Sequence, residues 1–391
     1  MGIMSNTVSI SQFQVVGDLP DGNIFEWIGE CLDKHSFNGI ENSAEELSIG
    51  WVRTDDYQST DFAGLQLFRR DHYASFTLRR DQRRIPSPLL KAYQQIAELE
   101  FLNANPGFFK VPKQKREDIR DAVRLSLLAR ALPSPAMYDV VWDTRSGVVT
   151  LASLSQKIID LFETEFKKCF PGLRLLMIHP FARALSVSTD DLTPELEKAN
   201  LASTESVLDL IRSNLWIGQD FLLWLLHQTM TGSGEHSVCT PGIFGSGEPF
   251  TAFMNDRLLL QASGETGTQR ITVAGAQDNF SEVLAALHLG KKITEATIHF
   301  EKDEHSWKLT LKGELFHFGS FRCPSVQIEK DNTADKIAEM EAVFYERMHL
   351  LECGAQMFDS LLSEFLRERL GSDWTSKAGE IKDWLDSTGK G

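Results

Sequence analysis

The spacing of apolar residues predicts alternating strands and helices over the first 180 positions. Val8 to Val16 alternates as a strand does, and the apolar residues that follow Asp21-Gly22 recur at helical spacing. Asn23 and Glu26 are placed to cap that helix at its N-terminus. Three further elements are predicted in this half, namely a hairpin over 137–143 and 148–152, a helix over 154–170 and a strand over 173–178.

Between residues 63 and 131 the pattern predicts a β-hairpin and then two helices. Residues 63–80 are predicted to form the hairpin, because Ala74, Phe76 and Leu78 alternate with the residues between them. The sequence 85–88 (IPSP) ends the alternation and starts a helix, with Ser87 at the cap. We expect the buried face of this helix to carry Leu89, Ala92, Ile96 and Leu99. A second helix is predicted from about Gln114 to Ala131, after the turn-forming sequence Asn105-Pro106-Gly107.

The remaining sequence predicts mixed helices and antiparallel strands, and therefore an α+β fold. Leu208 to Met230 is apolar and helical, and a glycine-containing loop over 232–247 is expected to be a flexible surface loop. Two strands separated by Asn255-Asp256 follow, then three antiparallel strands over 293–300, 305–312 and 314–320. A long helix starts at Thr333, and Gly354 is expected to bend or divide it. We expect three regions, 8–180, 181–290 and 291–391.

Composition indicates a globular intracellular protein. The chain has 391 residues, of which 42% are hydrophobic, and a formal net charge of −15. These values exclude a disordered or collagen-like chain. The five cysteines lack Cys-x-x-Cys spacing and are expected to be buried thiols in a reducing cytosol. The longest purely apolar run, Phe221 to Leu226, is far shorter than the roughly twenty residues of a membrane span. A cytoplasmic location is therefore expected.

Residue patterns typical of catalysis are weak throughout the sequence. The glycine loop has no Gly-Lys-Ser/Thr and misses the dinucleotide fingerprint. His227, His236 and Cys239 are the nearest approach to a metal set, but no fourth ligand is evident. The carboxylates and histidines around 299–305 are typical of a solvated hairpin turn. No catalytic residue, metal ligand or cofactor is predicted.

The strongest functional signal is an uneven distribution of charge. Residues 69–130 contain 14 Lys+Arg and 7 Asp+Glu, a net charge of +7, whereas the other residues contain 26 and 48, a net charge of −22. Two groups of cations stand out in the basic segment, Arg79, Arg80, Arg83 and Arg84 before the Pro-Ser-Pro turn, and Lys113, Arg116, Arg120 and Arg124 at helical spacing. A basic helix face of this kind can lie along DNA phosphates. The alternative is an ordinary solvated face, with Glu117 and Asp121 pairing with Arg120 and Arg124.

In this same segment the sequence resembles the recombination-associated protein RdgC family. The matching blocks in the first half are Gly50-Trp51-Val52, 84–91 (RIPSPLLK), 127–132 (LLARAL) and 141–144 (VWDT). Another block, 290–294 (GKKIT), precedes the last strands and the long helix. The resemblance covers about residues 8–180 and 270–370.

The resemblance implies a horseshoe-like α+β subunit that pairs into a ring-shaped homodimer. It implies sequence-independent binding of double- and single-stranded DNA, a nucleoid-associated location, restraint of a RecA-type recombinase and no catalysis. By the same resemblance, Arg83, Arg84 and Arg130 match basic DNA-binding positions. Leu132 replaces the aromatic residue at the end of the family's finger, so the DNA contact implied there is an apolar wedge and not stacking on a base. Gln277 matches a glutamine at the dimer gate, preceded here by Ala274, Gly275 and Ala276 instead of basic residues.

Three hypotheses follow for the activity. The first is a non-catalytic DNA-binding ring homodimer that acts in recombination and replication-fork repair. The second is a metal-dependent DNA exonuclease, whose metal site would need carboxylates from several elements. The third is a protein that targets the recombinase directly, with DNA binding secondary.

Overall fold

The computed structural model describes residues 2–41, 43, 45–264, 267–276, 279–327 and 336–388. They form a mixed α+β fold with antiparallel sheet and C-terminal helices, as the sequence predicts. The strands are β1 Thr7–Val16, β2 Leu47–Val52, β3 Arg69–Arg70, β4 Tyr73–Gln82, β5 Ser134–Asp143, β6 Val148–Leu151, β7 Arg174–Met177, β8 Glu235–Ser237, β9 Pro249–Gly264, β10 Gly267–Val273, β11 Lys292–Lys302, β12 His305–Lys312 and β13 His317–Arg322.

The helices are α1 Ile24–Lys34, α2 Ser87–Ala104, α3 Lys113–Arg130, α4 Gln156–Cys169, α5 Pro180–Val187, α6 Thr193–Lys198, α7 Val207–Ser213, α8 Leu215–Thr231, α9 Ser281–His288, α10 Lys336–Leu370 and α11 Trp374–Thr388. Among the described residues, no helix combines the length and the apolar character that crossing a bilayer needs. The predicted cap of α1 is confirmed, because Asn23 accepts a hydrogen bond from the backbone N–H of Phe25 and donates one to Glu26.

The chain divides into two compact units, and the smaller comprises residues 17–142 and 162–173. In its sheet β4 lies between β2 and β5 and also pairs with β3. The register opposes Gly50 to Arg79 and Ile49 to Arg80. Its core is a fully buried cluster of aromatic rings formed by Trp51, Phe76, Trp142, Phe162, Phe166 and Phe170. This cluster supports β4, which leads into α2, and β5, which follows α3.

The larger unit comprises residues 1–16, 143–161 and 174–391. Its sheet has the order β10-β9-β11-β12-β13-β1-β6, with β8 paired to β9 and β7 to β1. Antiparallel pairing joins β11 to both β9 and β12. Helices α8 and α10 pack together through Phe221, Phe358 and Phe365, whose rings lie 5.5 to 5.8 Å apart between helices.

The structure lacks two chain breaks that the sequence predicts in this unit and has one that was not predicted. Asn255-Asp256 does not separate two strands, because β9 absorbs the extra residues in a bulge opposite 296–298 and continues. At this bulge Asp256 accepts hydrogen bonds from Lys308 and His299. Gly354 does not divide α10, which is continuous from Lys336 to Leu370, whereas the apolar helix predicted over 208–230 is divided at Asn214.

The loop that follows β8 is held against α10, which corrects the prediction of a flexible surface loop. Gln356 accepts a hydrogen bond from the backbone N–H of Phe244, and the Ser360 hydroxyl accepts one from Cys239. Glu364 lies 3.0 Å from Nδ1 of His236, at the start of the same segment. The three α10 residues are one helical turn apart, so a single face of α10 holds the loop.

Candidate nucleic-acid interface

The predicted basic surface is built on a hairpin of the two helices α2 and α3. Nε of Arg116 lies 3.4 Å from the carboxylate of Glu98, and Gln94 lines the same groove as Arg120. Gln94 precedes Glu98 in α2, whereas its neighbour Arg120 follows Arg116 in α3. The two helices therefore run antiparallel. Residues 84–87 and 130–133 therefore lie at one end of the hairpin, and residues 105–112 form its other end, called here the tip.

The predicted buried face of α2 is wrong. Leu89, Ile96 and Leu99 are 43%, 52% and 60% exposed, and Ala92 is also exposed. The partly buried residues of α2 lie one to three positions further along the helix. They are Leu90, Gln94, Ala97, Glu98, Phe101 and Leu102. Polar residues occupy the packed side because Gln94 bonds to Glu98, which pairs with Arg116 of α3. The apolar stripe consequently faces outward, although hydrophobic periodicity predicts that it is buried.

Arg79 is held within the protein by an acidic neighbour. Its guanidinium donates two hydrogen bonds to the carboxylate of Asp81, at 2.9 and 2.7 Å, and one to the carbonyl of Tyr57. It also stacks over the ring of Phe37, 4.3 Å from the centroid. The hydrogen bonds to Asp81 raise the pKa of Arg79 above its usual value. Because Asp81 neutralises it, Arg79 contributes little net positive charge to the surface.

Arg83 lies inside the smaller unit and is only 6% exposed. Its terminal nitrogens donate hydrogen bonds of 2.8, 2.8 and 3.1 Å to the carbonyls of Ser43, Ile40 and Glu41. These bonds fasten the end of β4 to the segment before β2. The contact with DNA that the family resemblance implies for Arg83 stays a prediction.

Arg80 and Arg84 share one neutral acceptor. Both donate to the side-chain oxygen of Gln82, at 2.6 and 3.1 Å. Arg84 is exposed and Arg80 partly exposed, and in the part of the chain that the structure describes neither forms an ion pair. Two guanidinium groups on one oxygen repel each other, so an anion bound between them would relieve the repulsion.

The four predicted cations of α3 divide into paired and unpaired residues. Arg116 pairs with Glu98, and Arg124 pairs with Glu46 at 2.7 Å. Lys113 and Arg120 are exposed and line a groove of about 310 Å³ together with Gln94, Arg116 and Glu117. The alternative pairing of Glu117 with Arg120 and of Asp121 with Arg124 is not among the ion pairs of the described residues. The groove therefore keeps positive charge that is open to a ligand.

The two positions assigned to the finger lie where α3 leads into β5. Arg130 is the last residue of α3 and is exposed, and Leu132 is 86% exposed. They lie at the end of the hairpin opposite its tip. Arg84, which precedes α2, lies at this same end. The gate residue Gln277 lies outside the described residues, and its role stays a prediction.

The tip of the hairpin carries two aromatic residues that the sequence reasoning missed. Phe108 packs on Phe101, with ring centroids 5.8 Å apart, and is 49% exposed. Phe109 is 103% exposed, so its ring contacts essentially only solvent. The sequence could have predicted their position, because Asn105-Pro106-Gly107 predicts a turn between two helices and the two phenylalanines follow it directly.

The three residues considered as metal ligands, His227, His236 and Cys239, have separate partners and do not form a common site. His236 bonds to Glu364, Cys239 lies against Ser360, and the ring of His227 packs edge-on against Trp384 at 5.1 Å. Within the described ranges, no three or more His, Cys, Asp or Glu side chains are grouped so that they could hold a metal ion.

A family model relates part of the chain to known proteins. A search of curated proteins finds no match to the chain. A family model described as "Putative exonuclease, RdgC" matches residues 21–204, which include all of α2 and α3. This match supports the assignment of the chain to the RdgC family, the family that its sequence blocks resemble.

Proposed function

We propose that the protein binds DNA without sequence preference and without catalysis, acting as a homodimer in recombination and replication-fork repair. Membership of the RdgC family supports a recombination-associated role. The observation that carries the proposal is the set of exposed cations, without carboxylate partners among the described residues, on and beside the helical hairpin. They are Arg84, Lys113, Arg120 and Arg130.

The proposed binding mode is contact with phosphates. Residues 110–130 contain seven Lys+Arg and three Asp+Glu, so this stretch has a net charge of +4 in a chain of net charge −15. A cationic helix face follows the backbone of a nucleic acid and does not read base edges, which gives affinity with little sequence preference. Both double- and single-stranded DNA are therefore proposed ligands, and a nucleoid-associated cytoplasmic location follows from that binding.

The test uses fluorescence anisotropy with labelled duplexes of two unrelated sequences. We expect Arg84→Ala/Arg120→Ala to weaken binding to both duplexes equally, by roughly tenfold or more at low salt. Lys198→Ala is the matched control, because Lys198 is an exposed lysine of α6 that pairs with Glu195. Unchanged affinity of the double variant would overturn the assignment of the surface, and absence of DNA binding by the unaltered protein would overturn the function.

The proposed assembly is a ring of two horseshoe-like subunits around the DNA. Light scattering should give twice the subunit mass of 44.0 kDa. A closed ring must open to enter a covalently closed circle, so loading on relaxed circular DNA should be slower than on linear DNA of the same sequence. Equal loading rates would exclude a closed ring.

Restraint of a RecA-type recombinase is proposed to act through the DNA. We expect the protein to inhibit strand exchange, and the Arg84→Ala/Arg120→Ala variant to lose this inhibition in parallel with its affinity for DNA. Inhibition that survives the double substitution would instead support direct contact with the recombinase.

A metal-dependent exonuclease is the second candidate, favoured by the printed description of the family model. Incubation of end-labelled linear DNA with Mg²⁺ or Mn²⁺ separates the two candidates. Degradation that copurifies with the protein and stops on chelation would support the exonuclease, and intact DNA under conditions of full binding would support the non-catalytic proposal.

A further inference from the structure

The tip of the helical hairpin exposes an aromatic ring that the fold does not use. Asn105 donates from its side chain to the carbonyl of Phe101, and Phe108 donates its backbone N–H to the carbonyl of Asn105. Phe108 also supplies the ring that packs on Phe101. These contacts fix the turn, whereas Phe109, at 103% exposure, adds no packing to it.

The charged residues next to Phe109 in the sequence are all basic. The tip and the first turn of α3, residues 105–116, contain Lys110, Lys113, Lys115 and Arg116 and no carboxylate. Only Arg116 has an acidic partner, Glu98 of α2, among the described residues. Lys115 lies over the ring of Phe101, 6.0 Å from its centroid, so the cations and the aromatic rings share one surface.

The position of these cations is unfavourable for the helix itself. The N-terminus of a helix carries a partial positive charge, which acidic residues in the first turn offset. The first turn of α3 has no acidic residue. An anionic ligand at the tip would supply the missing negative charge, and the ring of Phe109 would contact the apolar part of the same ligand.

Single-stranded DNA has both parts. Its phosphates are anionic, and its unpaired bases have free faces that stack on aromatic side chains. In continuous duplex the base faces are covered by neighbouring bases, so a ring at a turn between helices has no face to stack on unless bases are displaced. An exposed ring within a basic tip therefore favours unpaired bases over continuous duplex.

We propose that Phe109 stacks on an unpaired DNA base while Lys110, Lys113 and Lys115 contact the adjacent phosphates. This inference rests on the proposed DNA-binding function and adds to it a preference for single-stranded regions, such as gaps and the open arms of forks. The stacking position lies at the tip, at the opposite end of the hairpin from Leu132.

The test compares oligo(dT) with a duplex of equal length. We expect Phe109→Ala to lower affinity for oligo(dT) by about tenfold and to change affinity for the duplex by less than twofold. Leu201→Ala is the matched control, since Leu201 is an apolar side chain, 68% exposed, that lies outside the hairpin, and its loss should leave both affinities unchanged. Phe109→Trp should retain binding, and its added fluorescence should be quenched by oligo(dT).

Other outcomes would overturn the inference and leave the proposed function standing. If Phe109→Ala binds oligo(dT) as the unaltered protein does, or loses affinity for both DNAs equally, the ring does not stack on unpaired bases. Loss of binding to phosphatidylserine vesicles, with binding to oligo(dT) intact, would assign the tip to lipid. The Arg84→Ala/Arg120→Ala variant tests the wider surface independently, so a failure of DNA binding as such is recognised separately.

Discussion

At the scale of single residues, the burial of Arg83 predicts a structural role that can be measured. We expect Arg83→Ala to lower the free energy of unfolding by about 2 kcal/mol or more, because it removes the charge-assisted hydrogen bonds to the carbonyls of Ile40, Glu41 and Ser43. Urea denaturation followed by circular dichroism measures this change. Arg84→Ala, at the exposed neighbouring position, should change stability by less than about 0.5 kcal/mol. Equal stability of the two variants would contradict the role assigned to Arg83.

A second residue-scale prediction concerns His317, which is 3% exposed on β13. Burial, assisted by the nearby charge of Lys312, lowers the pKa of His317 from 6.5 to about 4. As the pH falls from 6.5 towards 4, the unfolded chain binds a proton at this residue and the folded protein does not, so stability is lost across that window. His317→Gln should remove up to about 1.4 kcal/mol per pH unit of this dependence.

Urea denaturation at pH 7.0 and pH 5.0 checks the His317 prediction. Acid-sensitive carboxylates are common to both proteins, so their effect cancels when the two pH differences are compared. An identical loss of stability in the unaltered protein and in His317→Gln would contradict the assignment.

The contacts of a single residue could be predicted from the sequence only when its partners lie within a few positions along the chain. The cap by Asn23 follows from neighbours two and three positions away, and the structure confirms it. Arg79, Arg80, Arg83 and Arg84 look equivalent in the sequence. They differ in the fold because Arg83 meets carbonyls some forty positions earlier and Arg79 meets Asp81. Such long-range contacts leave no local pattern.

At the scale of elements, Gly354 shows why α10 tolerates a glycine in its interior. A Cβ at Gly354 would lie 2.6 Å from Cζ of Phe321 and 2.9 Å from Cδ1 of Trp307. Replacing a glycine by alanine usually stabilises a helix by about 0.5–1 kcal/mol, but here the methyl group would collide with two aromatic rings. We expect Gly354→Ala to destabilise the protein by about 1–3 kcal/mol, as measured by thermal or urea unfolding.

Gly379 in α11 is the matched control for this prediction. A Cβ at that position would meet no atom within 4 Å. Gly379→Ala should therefore stabilise the protein slightly, or leave it unchanged. If both alanine variants gained stability, the close packing of α10 on Phe321 and Trp307 would be wrong.

Element types were more predictable than element faces. The spacing of apolar residues and the turn-forming residues correctly predicted helices α2 and α3. The apolar stripe of α2, however, predicted the wrong buried face for that helix. The reason is that α3 binds the mixed side of α2 through Gln94 and the Glu98–Arg116 pair. Likewise Asn255-Asp256 has a turn-like composition, yet hydrogen bonds to neighbouring strands keep β9 continuous.

At the scale of the whole molecule, separated charges predict a steep dependence on salt. Each phosphate contact releases counterions, so the slope of log affinity against log salt concentration should fall by about 1 for each contact removed. Arg120→Ala should lower the slope by about this amount on duplex DNA, and Lys198→Ala should leave it unchanged. Titrations between 50 and 200 mM salt measure both slopes, and equal slopes would contradict a phosphate contact by Arg120.

The charge asymmetry itself could be read from the sequence, since it needs only counting. The division into units could not, because residues 162–173 return to the smaller unit after an excursion into the larger one. Only packing of Phe162, Phe166 and Phe170 on Trp51 and Trp142 reveals that return.

The contacts between α10 and the loop after β8 have a consequence for hydrogen exchange. The amide hydrogens of Cys239 and Phe244 are bonded to side chains of Ser360 and Gln356, so they are released only when that part of α10 opens or those side chains swing away. We therefore expect these two loop amides to exchange with deuterium more slowly than amides of the same loop that lie open to solvent. Protection would then occur at two positions within a glycine-rich loop.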